Sequence, residues 1–435
     1  MSLRRVAGVD LAWAGERIVV AVGPLDVVPS REGLSRALDI LASLPATSRI
    51  GRVPSPSGRT WRVPSRGSRV SDNVHELPAF VDPADMLMAV SRIEPKTAVA
   101  LATSGDHVAL SIDHVMGDGY FLTRLLAASI ELALGRDVPQ WALRPTARHA
   151  LPRALWSEFG RHPGRARALV AQRRETHGGA VSGRESHRAG LSGGDHPADP
   201  AWSPRSTSVV RVSTQSVFRQ IKAWRREHAP GVSTVPIAIA ASEIAIRTTG
   251  IRTVGPPLVL FDARRYVRPD GVDVTGNFCA GLRIALADFG SPREVDAALK
   301  DAAALGRPLA VVALAAVRSA LRRAPGTMTA ASDDRWDVAY THMGRPAELA
   351  RLTRGAARAG TYVGLLPPSG PNGVTIAMSE IGDRLNVSLS FHANVVDRMD
   401  VEAVADALAT DPVALLERHR QAGANAVLQL ERGSR

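Results

Sequence analysis

Cysteine is almost absent from these 435 residues: Cys279 stands alone. A single thiol excludes a disulfide scaffold and any zinc site built from several cysteines, and an intracellular compartment fits such usage. Lysine is nearly as scarce. Of the 54 basic residues only Lys96, Lys222 and Lys300 are lysines, so a net charge of +12 is carried by arginine. Aromatic residues make up 4% and nowhere interleave with a basic run, the pattern a base-stacking surface requires, which argues against nucleic-acid binding. Long apolar runs are also missing. The longest, Leu309 to Leu321, is about two-thirds of a bilayer crossing and holds Arg318. Asp10, Glu16 and Arg17 interrupt any secretion signal near the start. The expectation is a soluble, cytoplasmic protein. No glycine-rich phosphate loop precedes Lys-Ser or Lys-Thr, and the twelve histidines match no metal-ligand spacing, so no metal site is expected.

What is present is an ordinary globular composition, 45% hydrophobic and 22% charged, in a chain long enough for two domains. From 161 to 205 the composition shifts to Gly, Ser, Arg, His and Pro, and no apolar period survives beyond Leu169 and Val170. Such a stretch cannot bury enough surface to offset its ordering entropy. It reads as a flexible linker between an N-terminal lobe, 1–160, and a C-terminal lobe, 206–435. Ten arginines against five acids between 146 and 205 place about +5 of the +12 around this connection.

Periodicity gives both lobes strands and helices. Val108, Leu110 and Ile112 alternate, which predicts a strand over 107–113, and Leu122, Leu125, Leu126, Ile130 and Leu134 then recur at helical spacing up to Gly135. In the second half, Val217, Phe218, Ile221 and Trp224 predict an amphipathic helix, and another follows Ser233. Strands are expected at 257–262, 282–287, 336–340, 374–379 and 385–391. Ser291 to Glu294 forms a capping box, and Asp400 and Asp411 cap two short closing helices. The fold class is α/β with mixed sheets, built as two lobes.

Between the first strand and its helix lies Asp113–His114–Val115–Met116–Gly117–Asp118–Gly119. By strand parity His114 continues the inward face of Val108, Leu110 and Ile112, while Asp113 points the other way and does not orient the imidazole. Gly117 and Gly119 suit a tight turn that folds the Asp118 carboxylate back under the strand end, and a buried carboxylate there needs a positive partner.

This His-x-x-x-Asp-Gly pattern resembles the active-site motif of the chloramphenicol acetyltransferase-like superfamily, which includes condensation domains, wax ester synthases and polyketide-associated acyltransferases. Other segments resemble it in order. Leu44–Pro45 and Gly58–Arg59–Thr60–Trp61 are similar to its early helix and hairpin. Leu258 to Arg265, followed by Thr275–Gly276–Asn277–Phe278, looks like its strand, arginine and crossover, and Arg384 to Phe391 like its final strand. The weakest part lies before about Asp39.

The resemblance implies a V-shaped pair of lobes with an interlobe channel, a donor and an acceptor route meeting at His114, and His114 as general base in an acyltransferase. The donor implied is an acyl thioester of coenzyme A or of a phosphopantetheinyl carrier protein, with no permanently bound cofactor. The acceptor is an alcohol or amine, in secondary metabolite or lipid biosynthesis. Asp118 and Gly119 would be structural, and Asp118 would pair with an arginine. Position 113 departs from the longer His-His form, which weakens assignment to the peptide-forming branch. Thr341 is offered as an oxyanion group and Asn277 as a crossover residue lining the channel. His342, a rival base in principle, reads as structural or exposed, and Cys279 as a small buried residue instead of a nucleophile. The alternative is a catalytically silent module that binds a carrier protein. Two joined lobes already form the site, so a monomer suffices.

Overall fold

The computed structural model describes residues 4–55, 59–62, 69–94, 97–147, 149–178, 203–267, 273–321, 334–355 and 360–433. Alternation at Val108, Leu110 and Ile112 makes His107–Asp113 the middle strand of a five-stranded sheet. It pairs antiparallel with Arg17–Gly23 and with Val99–Ser104, and Val74–Leu77 adds in parallel outside the latter. The amphipathic helices Arg31–Ser43 and Gly119–Ala133 bury Leu34, Leu38, Leu122 and Leu125 against this sheet. Each such side chain contributes about 1.5–3 kcal/mol of transfer free energy.

A six-stranded sheet forms the second lobe. Its order is Cys279–Arg283, Leu258–Asp262, Asp337–His342, Gly373–Ile381, Arg384–His392 and Ser206–Val212, parallel on both sides of Asp337–His342 and antiparallel elsewhere. Thr234–Thr248 and Arg398–Thr410 cover it through Ile237, Ile239 and Val404. The two-lobe α/β class with mixed sheets is as expected.

The lobes do not follow the chain order drawn from composition. Thr361–Leu365, from the C-terminal half, is the edge strand of the N-terminal sheet, paired antiparallel with Arg17–Gly23. It also ties the two sheets together: Gly364 and Leu366 donate backbone N–H groups to the Ser388 and Ser390 hydroxyls at 3.2 and 3.0 Å, and Ser379 donates to the Tyr362 carbonyl at 2.6 Å. Within the stretch assigned to a linker, Pro163–Gly178 is helical. Residues 179–202, and Gly58 of the early hairpin, lie outside the described residues.

Three local expectations are corrected. The strand placed at 282–287 is Cys279–Arg283. Its partner strand is preceded by Pro256 and Pro257, which have no N–H to continue the ladder, although Ile284 N–H still reaches the Pro257 carbonyl at 3.2 Å. The helix assigned to an Asp400 cap is capped by Asp397, whose carboxylate accepts Met399 N–H at 2.8 Å; Asp400 sits in the first turn, where it complements the helix dipole. Asp411 does cap its helix, accepting Ala414 N–H at 3.0 Å, but that helix is long, Pro412–Gly433.

Candidate active site

His114 follows directly on the middle strand and opens a single 3-10 turn, His114–Met116. Its backbone N–H donates to the Glu16 carbonyl at 2.8 Å, and its own carbonyl accepts from Asn277 Nδ2 at 2.8 Å. The side chain is buried, as strand parity requires, and Nδ1 has no hydrogen-bond partner. One face of the imidazole is stacked on Trp13, ring centroids 4.3 Å apart and planes 21° apart. Burial lowers its pKa below the ordinary histidine value, so the neutral form persists through the physiological range.

Asp118 is the N-cap of the helix Gly119–Ala133. Arg264 clamps it in a bidentate pair, Nη1 to Oδ2 at 2.9 Å and Nη2 to Oδ1 at 3.0 Å, and Phe278 N–H donates to Oδ2 at 2.9 Å. Burial alone would raise this carboxyl; Arg264 and Phe278 more than reverse it and hold its pKa below the usual value. Arg264 also donates to the carbonyls of Val274 and Gly276 at 2.8 and 2.7 Å, so one guanidinium staples the motif to the crossover 274–278. This is the positive partner that the sequence required and did not locate.

The two turn glycines differ. A Cβ on Gly117 would stand 2.6 Å from the Phe121 ring, which excludes any larger residue. Gly119 has open space around it and needs neither close packing nor a left-handed backbone. Asp113 behaves as parity predicted: its carboxylate accepts Val115 N–H at 3.1 Å and makes no hydrogen bond to His114.

Sequence reasoning missed a second buried carboxylate. Asp10 Oδ1 accepts from Asn277 N–H at 2.9 Å and from Asn277 Nδ2 at 3.1 Å, and Arg49 approaches its other oxygen at 3.5 Å while donating to the Met116 carbonyl at 3.0 Å. Asp10 therefore holds Asn277, and Asn277 holds the His114 backbone. Asn277 is buried and serves as a brace at the crossover. The only available signal was an acid among apolar residues near the start, where the resemblance is weakest.

Two cavities flank the motif. One, of about 460 Å³, is bounded by Asp118, Gly119, Tyr120, Arg264, Thr341 and His342. Thr341, offered from the resemblance as an oxyanion group, shares this wall with Asp118. Cys279 is in the same wall, but burial pushes its thiol well above the ordinary value, which keeps it protonated and unsuited to nucleophilic attack. His342 accepts Gly344 N–H through Nδ1 at 3.1 Å and turns Nε2 toward Glu380, 3.7 Å away. The other cavity, about 830 Å³, is lined in part by Glu16, whose carbonyl accepts the His114 backbone N–H, and by Arg17, which pairs with Asp113 in the sheet. Among the described residues no cluster of three or more His, Cys, Asp or Glu could hold a metal, and no single helix is long and apolar enough to cross a membrane.

A two-lobed α/β chain with a buried histidine and an arginine-clamped aspartate at its centre has the chloramphenicol acetyltransferase-like fold, shared by acyltransferases and condensation domains. Trichothecene 15-O-acetyltransferase from Fusarium sporotrichioides superposes with a TM-score of 0.63 at 12% identity, over 95% of this chain and 94% of that one. The condensation domain of the Monacolin K polyketide synthase gives 0.59 at 14% identity, over 96% and 97%. Polyketide synthase associated protein 5 from Mycobacterium tuberculosis gives 0.53 at 15% identity, over 94% and 98%. No protein-family model matches the chain, and no curated protein sequence does.

Proposed function

We propose that this protein is an acyltransferase that moves an acyl group from a phosphopantetheine thioester to an alcohol or amine, acting as a cytoplasmic monomer in secondary metabolite or lipid biosynthesis. The observation that carries the reading is His114: a buried imidazole, kept neutral by its surroundings and braced through its backbone by Glu16 and Asn277, with Asp118 of its turn in the wall of one cavity and Glu16, which accepts its backbone N–H, in the wall of the other. In the proposed step the acceptor O–H or N–H gives its proton to His114 as oxygen or nitrogen attacks the thioester carbonyl. Thr341 offers a hydroxyl to the developing oxyanion. The C–S bond then breaks, and the departing thiolate recovers the proton from the imidazolium. Asp118 and Arg264 are positioning residues: their charges neutralise each other and fix the turn that carries His114.

The test is release of free thiol from a panel of acyl thioesters, with product identified by intact mass. Turnover should require an acceptor. A folded His114→Ala variant that retains full rate would sink the mechanism. The Trp13 stack favours a second reading, a silent module that binds a carrier protein, because it covers one face of the imidazole. That reading expects no thiol release from any thioester, with or without acceptor.

A further inference from the structure

The arginines around the two cavities are in opposite states. In the smaller cavity every lining arginine is neutralised: Arg124 by Asp273, Arg264 by Asp118 and Arg345 by Glu380. The larger cavity is lined by Arg17, Arg92 and Arg205. Arg17 is committed to the Ser111 hydroxyl, with contacts at 2.9 and 3.3 Å. Arg92 and Arg205 are exposed, and neither side chain makes an ion pair or hydrogen bond among the described residues. The acid in this lining is Glu16, which is exposed and can offset at most one of the three guanidinium charges.

Val19, Met88, Leu365, Leu366, Pro367 and Pro368 give the wall a broad apolar stretch, beside which Ser91, Ser206, Thr207 and His392 add neutral polar groups. Free guanidinium groups at a partly apolar cavity of about 830 Å³ suit one kind of ligand, an extended chain with a phosphate at one end. We infer that Arg92 and Arg205, with Arg17 beside them, form an anion site that takes the phosphate of the phosphopantetheine arm, so that the donor occupies the larger cavity and an uncharged acceptor the smaller one. The assignment rests on the acyltransferase reading for the identity of the donor, while the anion site itself does not depend on turnover. It follows from compensation of charge: an anion entering the smaller cavity meets guanidinium groups already paired with carboxylates, whereas in the larger cavity it meets unpaired ones.

The experiment is calorimetric titration of the full chain with coenzyme A, 4′-phosphopantetheine and pantetheine, without acceptor and therefore without chemistry. Coenzyme A and 4′-phosphopantetheine should both bind more tightly than pantetheine, and an Arg92→Ala, Arg205→Ala double variant should lose about tenfold or more for the phosphorylated ligands while pantetheine is unaffected. Affinity for the phosphorylated ligands should fall as salt is raised, with a shallower slope in the variant. Equal binding of the two phosphorylated ligands assigns the shared phosphate and a carrier protein as donor; tighter binding of coenzyme A assigns the nucleotide form. Unchanged affinity in the double variant, or loss caused instead by Arg124→Ala in the smaller cavity, overturns the proposal. Binding as expected with no thiol release under any acceptor would leave the anion site standing and remove the acyltransferase reading.

Discussion

His114 and His342 both sit at the C-terminal end of a central strand, one in each lobe, and each has a carboxylate–arginine pair close by. The pairs are arranged differently. Beside His114, Asp118 spends both oxygens on Arg264, with Phe278 N–H sharing one of them. Beside His342, Glu380 is shared between Arg345 and the imidazole, and Gly344 N–H occupies the other ring nitrogen. Each ring keeps one buried nitrogen without a hydrogen-bond partner, Nδ1 in His114 and Nε2 in His342, but only that of His114 has no carboxylate set against it and can accept a substrate proton. A histidine with one nitrogen taken by the backbone and the other facing a carboxylate is held in place as structure. Burial separates them too: His114 is buried, whereas His342 remains partly open.

The largest effect should come from His114→Ala. Removing a general base typically costs about 10²- to 10⁴-fold, read as kcat/KM for thiol release with acceptor in excess. Since burial depresses its folded-state pKa, the acid limb of the pH profile should lie below the ordinary histidine value. The same depression links to stability. An unfolded chain protonates this histidine at a pH where the folded one does not, so the stability it leaves intact near neutrality falls as pH drops through the unfolded value.

Next comes Arg264→Met, which leaves Asp118 buried without its cation. Breaking such a pair costs about 3–5 kcal/mol, measurable by denaturant unfolding, and Asp118→Asn should likewise lower stability more than it changes the kcat of the fraction that folds. An Arg264→Met protein with wild-type stability would break the comparison, because the clamp would then not hold the motif.

Trp13→Ala sharpens the His114 side. Removing the stacked ring admits water to the imidazole, so the acid limb of kcat/KM should move upward toward the ordinary histidine value, while Trp13→Phe should keep it near the wild-type position. A merely structural Trp13 would lower activity at every pH without moving the limb.

Much of this was legible from local pattern. Alternation and helical spacing located His107–Asp113 and Gly119–Ala133, and parity gave the inward turn of His114. Arg264 lay in a segment singled out by resemblance, but pairing across 146 residues leaves no periodic trace. Two contributors were hidden for the same reason. Asp10 acts through Asn277, 267 residues away, and Thr361–Leu365 joins the strand Arg17–Gly23, with Thr361 bonded to Gly23 across 338 residues. Trp13 lies in an irregular turn before that strand, so no period gave its place against His114.

The smallest effects belong to the second histidine. Arg345 is 55% exposed although Glu380 is buried, and His342 remains beside that carboxylate, so Arg345→Ala should destabilise less than Arg264→Met does, read by the same denaturant unfolding. His342→Ala should change kcat/KM by less than about threefold, far below the ~10²-fold floor for loss of a general base. The reason is in its hydrogen bonds: Nδ1 is filled by Gly344 N–H, and Nε2 faces Glu380, which burial would raise but His342 and Arg345 hold below the ordinary value and therefore ionised. Taking a substrate proton on Nδ1 would require breaking the Gly344 turn, and on Nε2 displacing a carboxylate. Should His342→Ala abolish thiol release while His114→Ala spares it, the base is in the C-terminal lobe, and the free nitrogen of His114 has another use.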